Sequence, residues 1–293
     1  MSNAAIAVLG ASSLVASFLL PKLVQKYETV VALSRRAQKY NDAFGVRWCD
    51  VNNLAGRDIE DWICLAPVWV LSDYFGRMES LGVKRVVALS STSRFTKADS
   101  SSAYERDLAR RIADGEAALQ SWAARKGVQC LVLRTTLIYG DGRDRNVSEL
   151  ARWISRWHCF PLCGAGRGLR QPLHAADVAE VCRRALLDGA FPQGAFNLAG
   201  SDTLTYREMV VRIARALKCR VWIVSIPAWL LRAGLRIAVK LPSYRHLSPQ
   251  LIDRFSEDLV FDDSELRGLL NLPPRVFAPT ARDLGVSVAG DGS

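Results

Sequence analysis

The stretch Ala5-Ile6-Ala7-Val8-Leu9-Gly10-Ala11-Ser12-Ser13-Leu14 limits what this chain can fold into more than any other. A short, wholly apolar run reads as a strand buried on both faces. Gly10 ends it, and the amphipathic pattern from Leu14 to Val24 reads as a helix. A strand that turns directly into a helix aims unpaired backbone N–H groups at whatever lies beyond the strand end, which suits a pyrophosphate. A second apolar run, Thr29 to Leu33, completes a βαβ unit and delivers Ser34-Arg35-Arg36 to the place where an adenosine ribose would lie. An acidic residue there would accept from the ribose hydroxyls, whereas two arginines would pair with a 2′-phosphate. The expected cofactor is therefore NADP rather than NAD.

The pattern continues downstream. Val46 to Val51 reads as a short strand ending in Asp50, which either lies at the adenine edge of such a cofactor or caps the turn before Asn52. Asp61 to Pro67 reads as a fourth strand, Ser72 to Leu81 as a helix, and Val83 to Ser93 as a fifth strand that ends in hydroxyls. A long polar helix, Ala103 to Lys126, leads to the strand Cys130 to Arg134. Strands alternating with helices predict an α/β chain: a Rossmann-type doubly wound parallel sheet, with ligands beyond the carboxyl ends of its strands. The expected cofactor contacts are Gly10, Ser12, Ser13, Arg35, Arg36, Asp50, Val51 and Ala66.

The second half is less regular. Val147 to Trp157 reads as a helix whose Trp153 and Trp157 share one face, as core packing would require. A strand-like start at Arg170 gives way to a helix near Ala176, with Asp177 as its cap. Ala195 to Gly200 reads as a further strand, and Thr205 with Glu208 forms the signature of a capping box. The expected division is a dinucleotide-binding domain over residues 1–165, with 171–200 adding late strands, and a smaller substrate lobe over 201–293.

Composition excludes several alternatives. The 293 residues are 49% hydrophobic, enough for a globular core, yet no apolar run approaches the roughly 20 residues of a membrane span. The first residues lack the pattern of a signal peptide, so the expected location is cytoplasmic. Cys159 and Cys163 beside His158 find no second pair with ligand spacing, so no metal is expected. The net charge of +10 points to an anionic partner, either a phosphorylated substrate or an acidic membrane surface; no nucleic-acid motif accompanies it. Between Ala228 and Leu241, Arg232, Arg236 and Lys240 recur every four residues on an apolar segment. That stripe reads as a peripheral membrane contact or as the exposed edge of a packed helix.

Several pieces then recur in one order. They are the turn at Gly10, Asp50-Val51, Leu89-Ser90-Ser91-Thr92-Ser93, Leu133-Arg134 with Tyr139-Gly140, Gln171 to Ala179, Phe196-Asn197-Leu198-Ala199-Gly200, and Asp262-Asp263-Ser264 with Leu269 to Phe277. This order resembles the NAD(P)-dependent epimerase/dehydratase family, the extended short-chain dehydrogenases/reductases, over nearly the whole chain. The first turn departs from the family's Gly-x-x-Gly-x-x-Gly: Ser13 and Ala16 replace two glycines, and Ser13 sets a side chain where backbone must approach phosphate.

The resemblance implies an NADP-binding oxidoreductase or epimerase acting on a nucleotide sugar or similar anionic substrate. Its chemistry rests on a hydroxyl at the end of the fifth strand, a Tyr acid/base, and a Lys four residues later that lowers the tyrosine pKa. Thr92 matches the hydroxyl. Glu116 matches the acid four residues beyond the Lys, which puts Leu108 and Ile112 in the Tyr and Lys places. Tyr139, Tyr104 and Lys97 are the substitute donors within reach of the motif, and Arg170 and Asn197 are the expected substrate contacts. The alternative is a non-catalytic NADP-binding protein resembling the accessory subunit of respiratory complex I.

Overall fold

The computed structural model describes residues 5–43, 45–51, 54, 58–227, 229–231, 255–273 and 275–286. Its centre is a seven-stranded sheet of β1 (Ala5–Leu9), β2 (Thr29–Leu33), β3 (Val46–Cys49), β4 (Ile59–Cys64), β5 (Arg85–Ser91), β6 (Gln129–Thr135) and β11 (Gly194–Leu198). The order is β11-β6-β5-β4-β1-β2-β3, and every pairing is parallel. β1 is flanked by β2 on one side and β4 on the other, so the winding reverses there and a crevice opens beyond Leu9.

Parallel strands buried on both faces require apolar residues at successive positions, and β1 shows the result. Ile6 and Val8 join the cluster under α1 (Leu14–Leu23) and α6 (Ala175–Leu187). Ala5, Ala7 and Leu9 join the opposite cluster, under α4 (Ala103–Lys126) and the 3-10 segment Val68–Tyr74. That segment replaces the first turn of the expected helix, of which only α2 (Phe75–Ser80) is α-helical. Gly115 lets it approach: a Cβ there would lie 2.7 Å from the backbone of Trp69. The contact fixes how far α4 slides along the sheet, and with it the height of Glu116. A short helix, α3 (Ser93–Thr96), links β5 to α4.

A third cluster forms the smaller lobe. It gathers Tyr139 of β7 (Ile138–Tyr139), α5 (Val147–Trp157), β8 (Cys159–Cys163), α7 (Tyr206–Ala216) and Phe277. β13 (Trp222–Ile226) pairs in parallel with β8. β7 pairs with β10 (Leu173–His174), and β9 (Leu169–Arg170) with β12 (Leu204–Thr205). Residues 147–163 thus contribute to this third cluster. The late strand β11 returns to the central sheet as expected. Helices α8 (Ser264–Leu270) and α9 (Ala281–Leu284) follow, and α8 seals the β11 edge through Leu266 and Leu270.

Two local expectations need correction. Trp153 and Trp157 are exposed and lie outside the core, because α5 buries Val147, Ala151 and Ile154 instead. The cap of α6 is His174, whose Nδ1 accepts the Ala176 N–H at 3.0 Å, while Asp177 sits within the first turn and pairs with Arg275 at 2.7 Å. The capping box of Thr205 and Glu208 is present in both halves. The basic stripe Arg232, Arg236 and Lys240 lies outside the described residues.

Candidate functional site

The turn after β1 is fastened on two sides. Gly10 and Ala11 donate to the Leu33 carbonyl at 3.1 and 3.2 Å, which ties the turn to the end of β2. Gly10 has φ +80, and a Cβ there would come within 2.7 Å of the Ala66 nitrogen, so the ends of β1 and β4 touch. The Ser13 hydroxyl folds back to accept the Ala16 N–H at 3.3 Å. It therefore caps its own helix instead of projecting from the turn, and takes one donor that a phosphate would otherwise use. The N–H groups of Leu14 and Val15, in the first turn of α1, have no intrahelical acceptor to find. Arg143, which carries no motif signal in the sequence, reaches over from the loop after β7 and donates to the Ser12 carbonyl at 2.8 Å.

The second end of the crevice is set by β2 and β3. Ser34 is buried and its hydroxyl accepts the Arg36 N–H at 3.2 Å, which leaves Arg35 and Arg36 exposed beyond it. Val51 is buried beneath, after Asp50. Burial chiefly raises the Tyr74 phenol above its ordinary pKa; Asp73 and Asp50 add to the rise and Arg35 opposes it. Arg35, Asp50 and Tyr74 therefore share one corner.

Beyond β5 and β6 stands a buried ion cluster. Ser90 and Arg134 are opposite each other in register, and Asn197 of β11 is opposite Arg134. Glu116, fully buried on α4, takes the Ser90 hydroxyl on Oε1 at 2.5 Å. Its Oε2 receives Arg134 through Nε at 2.9 Å and Nη2 at 2.8 Å, and also receives Arg94 of α3. Both guanidinium groups lie over the Phe95 ring, at 5.1 and 5.3 Å from its centroid. One carboxylate thus serves two guanidinium groups, and the cluster keeps an excess positive charge. The arginine on α3 carried no signal in sequence, since 22 residues separate it from Glu116.

The remaining expected residues are placed as follows. The Thr92 hydroxyl, buried at the end of β5, donates to the Thr135 carbonyl at 3.2 Å. Its oxygen keeps lone pairs to accept a hydrogen bond, but its proton is committed. Leu108 packs against the core and Ile112 is buried in it. Tyr139 is buried between the rings of His174 and Phe277, each 5.0 Å away. Burial, with Asp283 next, raises its pKa well above the ordinary phenol value, so it stays protonated at neutral pH. Arg170 is buried, donates to the carbonyls of Leu169 and Glu257, and lies over Tyr206. It braces the segment after residue 254. The Asn197 amide donates to the Asp262 carbonyl at 3.3 Å, while its buried Oδ1 has no partner among the described residues. Asn197, Arg134 and Glu265 border a cavity of about 140 Å³. Thr92, Arg134 and Asn197 thus gather at the carboxyl edge of β5, β6 and β11; Tyr139 and Arg170 belong to the lobe's interior.

Among the described residues no cluster of His, Cys, Asp and Glu could hold a metal ion, and no helix is long and apolar enough to cross a membrane. The profile of the NAD dependent epimerase/dehydratase family matches residues 71–199. An uncharacterised protein of Sinorhizobium fredii is 26% identical over 203 residues, 66% of this chain and 50% of that protein. An uncharacterised protein of Mycobacterium tuberculosis is 26% identical over 220 residues, 72% of this chain and 23% of that protein. The chain therefore spans half or less of the length of these relatives. Among solved structures, MoeE5 in complex with UDP-glucuronic acid and NAD superposes with a TM-score of 0.67 at 18% identity, covering 97% of both chains. The UDP-N-acetylglucosamine 4-epimerase of Bacillus cereus superposes with a TM-score of 0.70 at 17% identity, covering 96% of this chain and 98% of that one. At these identities the likeness establishes the fold.

Proposed function

We propose, from the match of the NAD dependent epimerase/dehydratase family profile to residues 71–199, that the chain binds a nicotinamide dinucleotide beyond β1, prefers the 2′-phosphorylated form, and acts on a nucleotide sugar or similar anionic substrate. The observation that carries this reading is the turn itself: Gly10 at φ +80, pinned between Leu33 and Ala66, with α1 opening directly behind it. The residues present fit such a cofactor. Leu14 and Val15 offer N–H groups and Arg143 a guanidinium for the pyrophosphate, while the exposed Arg35 and Arg36 offer positive charge to a 2′-phosphate. Because Ser13 caps Ala16, the cradle has one backbone donor fewer than a glycine turn would give.

A bound nicotinamide would supply a carbon able to accept or donate hydride. Toward the substrate, the excess positive charge of the Arg94–Glu116–Arg134 cluster favours an anion, and MoeE5 and the UDP-glucuronic acid 4-epimerase of Bacillus cereus are neighbours solved with UDP-sugars. Thr92 orients a substrate hydroxyl by accepting from it. Leu108 and Ile112 can neither hold nor move a proton, so the acid/base step runs at a reduced rate or through a group other than the family's pair.

Calorimetric titration with NADPH and NADH tests the reading. NADPH binds at least about tenfold more tightly, since a single charge-assisted hydrogen bond contributes roughly 1.5–3 kcal/mol. Arg35→Ala with Arg36→Ala removes most of the difference. Equal affinities in the unmodified protein would overturn the 2′-phosphate preference, and no binding of either would overturn the site.

A further inference from the structure

We infer that the outer face of α5, β8 and β13 is a docking surface for an anionic lipid bilayer. The face is built from tryptophans that the fold leaves outside its core. Trp153 and Trp157 lie on α5 with ring centroids 6.2 Å apart, and the Trp153 indole N–H donates to the Cys159 carbonyl at 2.9 Å. Trp222 stands opposite Cys159 in the β8–β13 register, and its backbone N–H donates to the His158 carbonyl at 2.9 Å. The Trp153 ring, with Trp157 beside it, and the Trp222 backbone therefore meet at one end of β8. Trp157, Trp222 and Trp229 are 57%, 77% and 69% exposed, and Val224 and Leu230 extend the apolar surface. Along β13 the inward position is taken by Ile223, which packs into the lobe core, so Trp222 and Val224 face outward by the ordinary alternation of a strand.

Charge selects the occupant. The sequence holds no acidic residue between Glu149 and Asp177, nor between Glu208 and Asp253, and these two segments supply the face. Arg152, Arg156, Lys218 and Arg220 are exposed around it, and none pairs with a carboxylate of a described residue. By contrast, Arg183, Arg184 and Lys22 all pair with Glu180. Arg156 instead lies over the Trp157 ring, 5.3 Å from its centroid. Indole rings with an apolar body and one N–H favour the headgroup level of a membrane, and arginines without a carboxylate partner beside them favour anionic headgroups. Beyond Trp229 the sequence adds Arg232, Arg236 and Lys240, a stripe that suits an interfacial helix or the exposed edge of a packed one and lies outside the described residues. A lipid surface satisfies both properties at once, and a protein partner would need an acidic face with indole pockets.

Sedimentation of the full chain with vesicles tests this. Vesicles of phosphatidylcholine with about one third phosphatidylglycerol carry the protein down at low salt, and tryptophan emission shifts to the blue; pure phosphatidylcholine vesicles do neither. Trp157→Ser with Trp222→Ser lowers the partition coefficient at least tenfold. Each of Arg156→Gln, Lys218→Gln and Arg220→Gln lowers it about fivefold. Leu269→Ser, an exposed apolar residue on α8, leaves it unchanged. No binding of the unmodified protein to anionic vesicles would overturn the inference, as would binding that the tryptophan and arginine variants retain in full. Self-association that the same variants abolish, without vesicle binding, would overturn it too and assign the face to a second copy of the chain.

Discussion

Replacing Glu116 by Gln separates the ion cluster from the rest of the fold. The substitution keeps shape and the acceptor for Ser90 but removes the carboxylate that Arg94 and Arg134 share. Breaking a buried pair by neutralising one partner costs about 3–5 kcal/mol. Here the stranded guanidinium groups are 24% and 18% exposed, so water recovers part of that, and the expected loss is about 2–4 kcal/mol. At roughly 2–4 °C per kcal/mol, the melting temperature falls by about 4–16 °C. Arg94→Met alone costs no more than about 1 kcal/mol, because Arg134 still holds Glu116 through two N–H groups. In the Glu116→Gln background the same Arg94→Met change becomes stabilising, since it removes an unpaired charge. Urea unfolding of the four proteins gives the coupling. Additive effects, or a loss below about 1 kcal/mol for Glu116→Gln, would refute the view that one carboxylate holds both arginines.

Three further outcomes follow from named contacts. Burial raises the Glu180 pKa, but hydrogen bonds from Arg183, Arg184 and Lys22 outweigh it and bring the carboxyl down to about 2. A depressed folded-state pKa contributes stability above the unfolded value near 4.5 that is lost as pH falls toward 2; Glu180→Gln therefore costs about 1–2 kcal/mol at neutral pH and almost nothing near pH 2, as acid unfolding series will show. Gly115→Ala forces a methyl to within 2.7 Å of the Trp69 backbone and lowers stability by about 1–3 kcal/mol in denaturant melts. On the proposed alignment Leu108 and Ile112 take the Tyr and Lys places of α4, so Leu108→Tyr alone, which leaves the buried Ile112 in the core, raises any hydride-transfer turnover on the proposed UDP-sugar substrates about tenfold or more in steady-state kinetics.

Local signals were legible where one segment settles its own structure. The apolar runs of β1 and β2, the polar length of α4 and the Thr205 capping box each follow from neighbouring residues, and their bounds are close to those expected. Long-range pairings were not legible. Glu116 was visible as a motif residue, but its second guanidinium comes from a four-residue helix whose sequence carries no periodicity. Arg143 reaches Ser12 across 131 residues. The spacing of Trp153 and Trp157 marks a shared face but cannot say which face is buried; the answer comes from Val147, Ala151 and Ile154 packing on α7. Asp177 was displaced as a cap by the His174 ring, a less common acceptor at that position.

A nicotinamide dinucleotide at the turn after β1 is located most directly by backbone amide hydrogen exchange with and without NADPH. Binding there slows exchange across residues 10–16 and 34–36, because the Leu14 and Val15 N–H groups acquire phosphate acceptors and Arg35 and Arg36 become ordered, with no change along residues 222–226. Unchanged exchange at 10–16 under saturating NADPH, or protection confined to another part of the sheet edge, would contradict the proposed site.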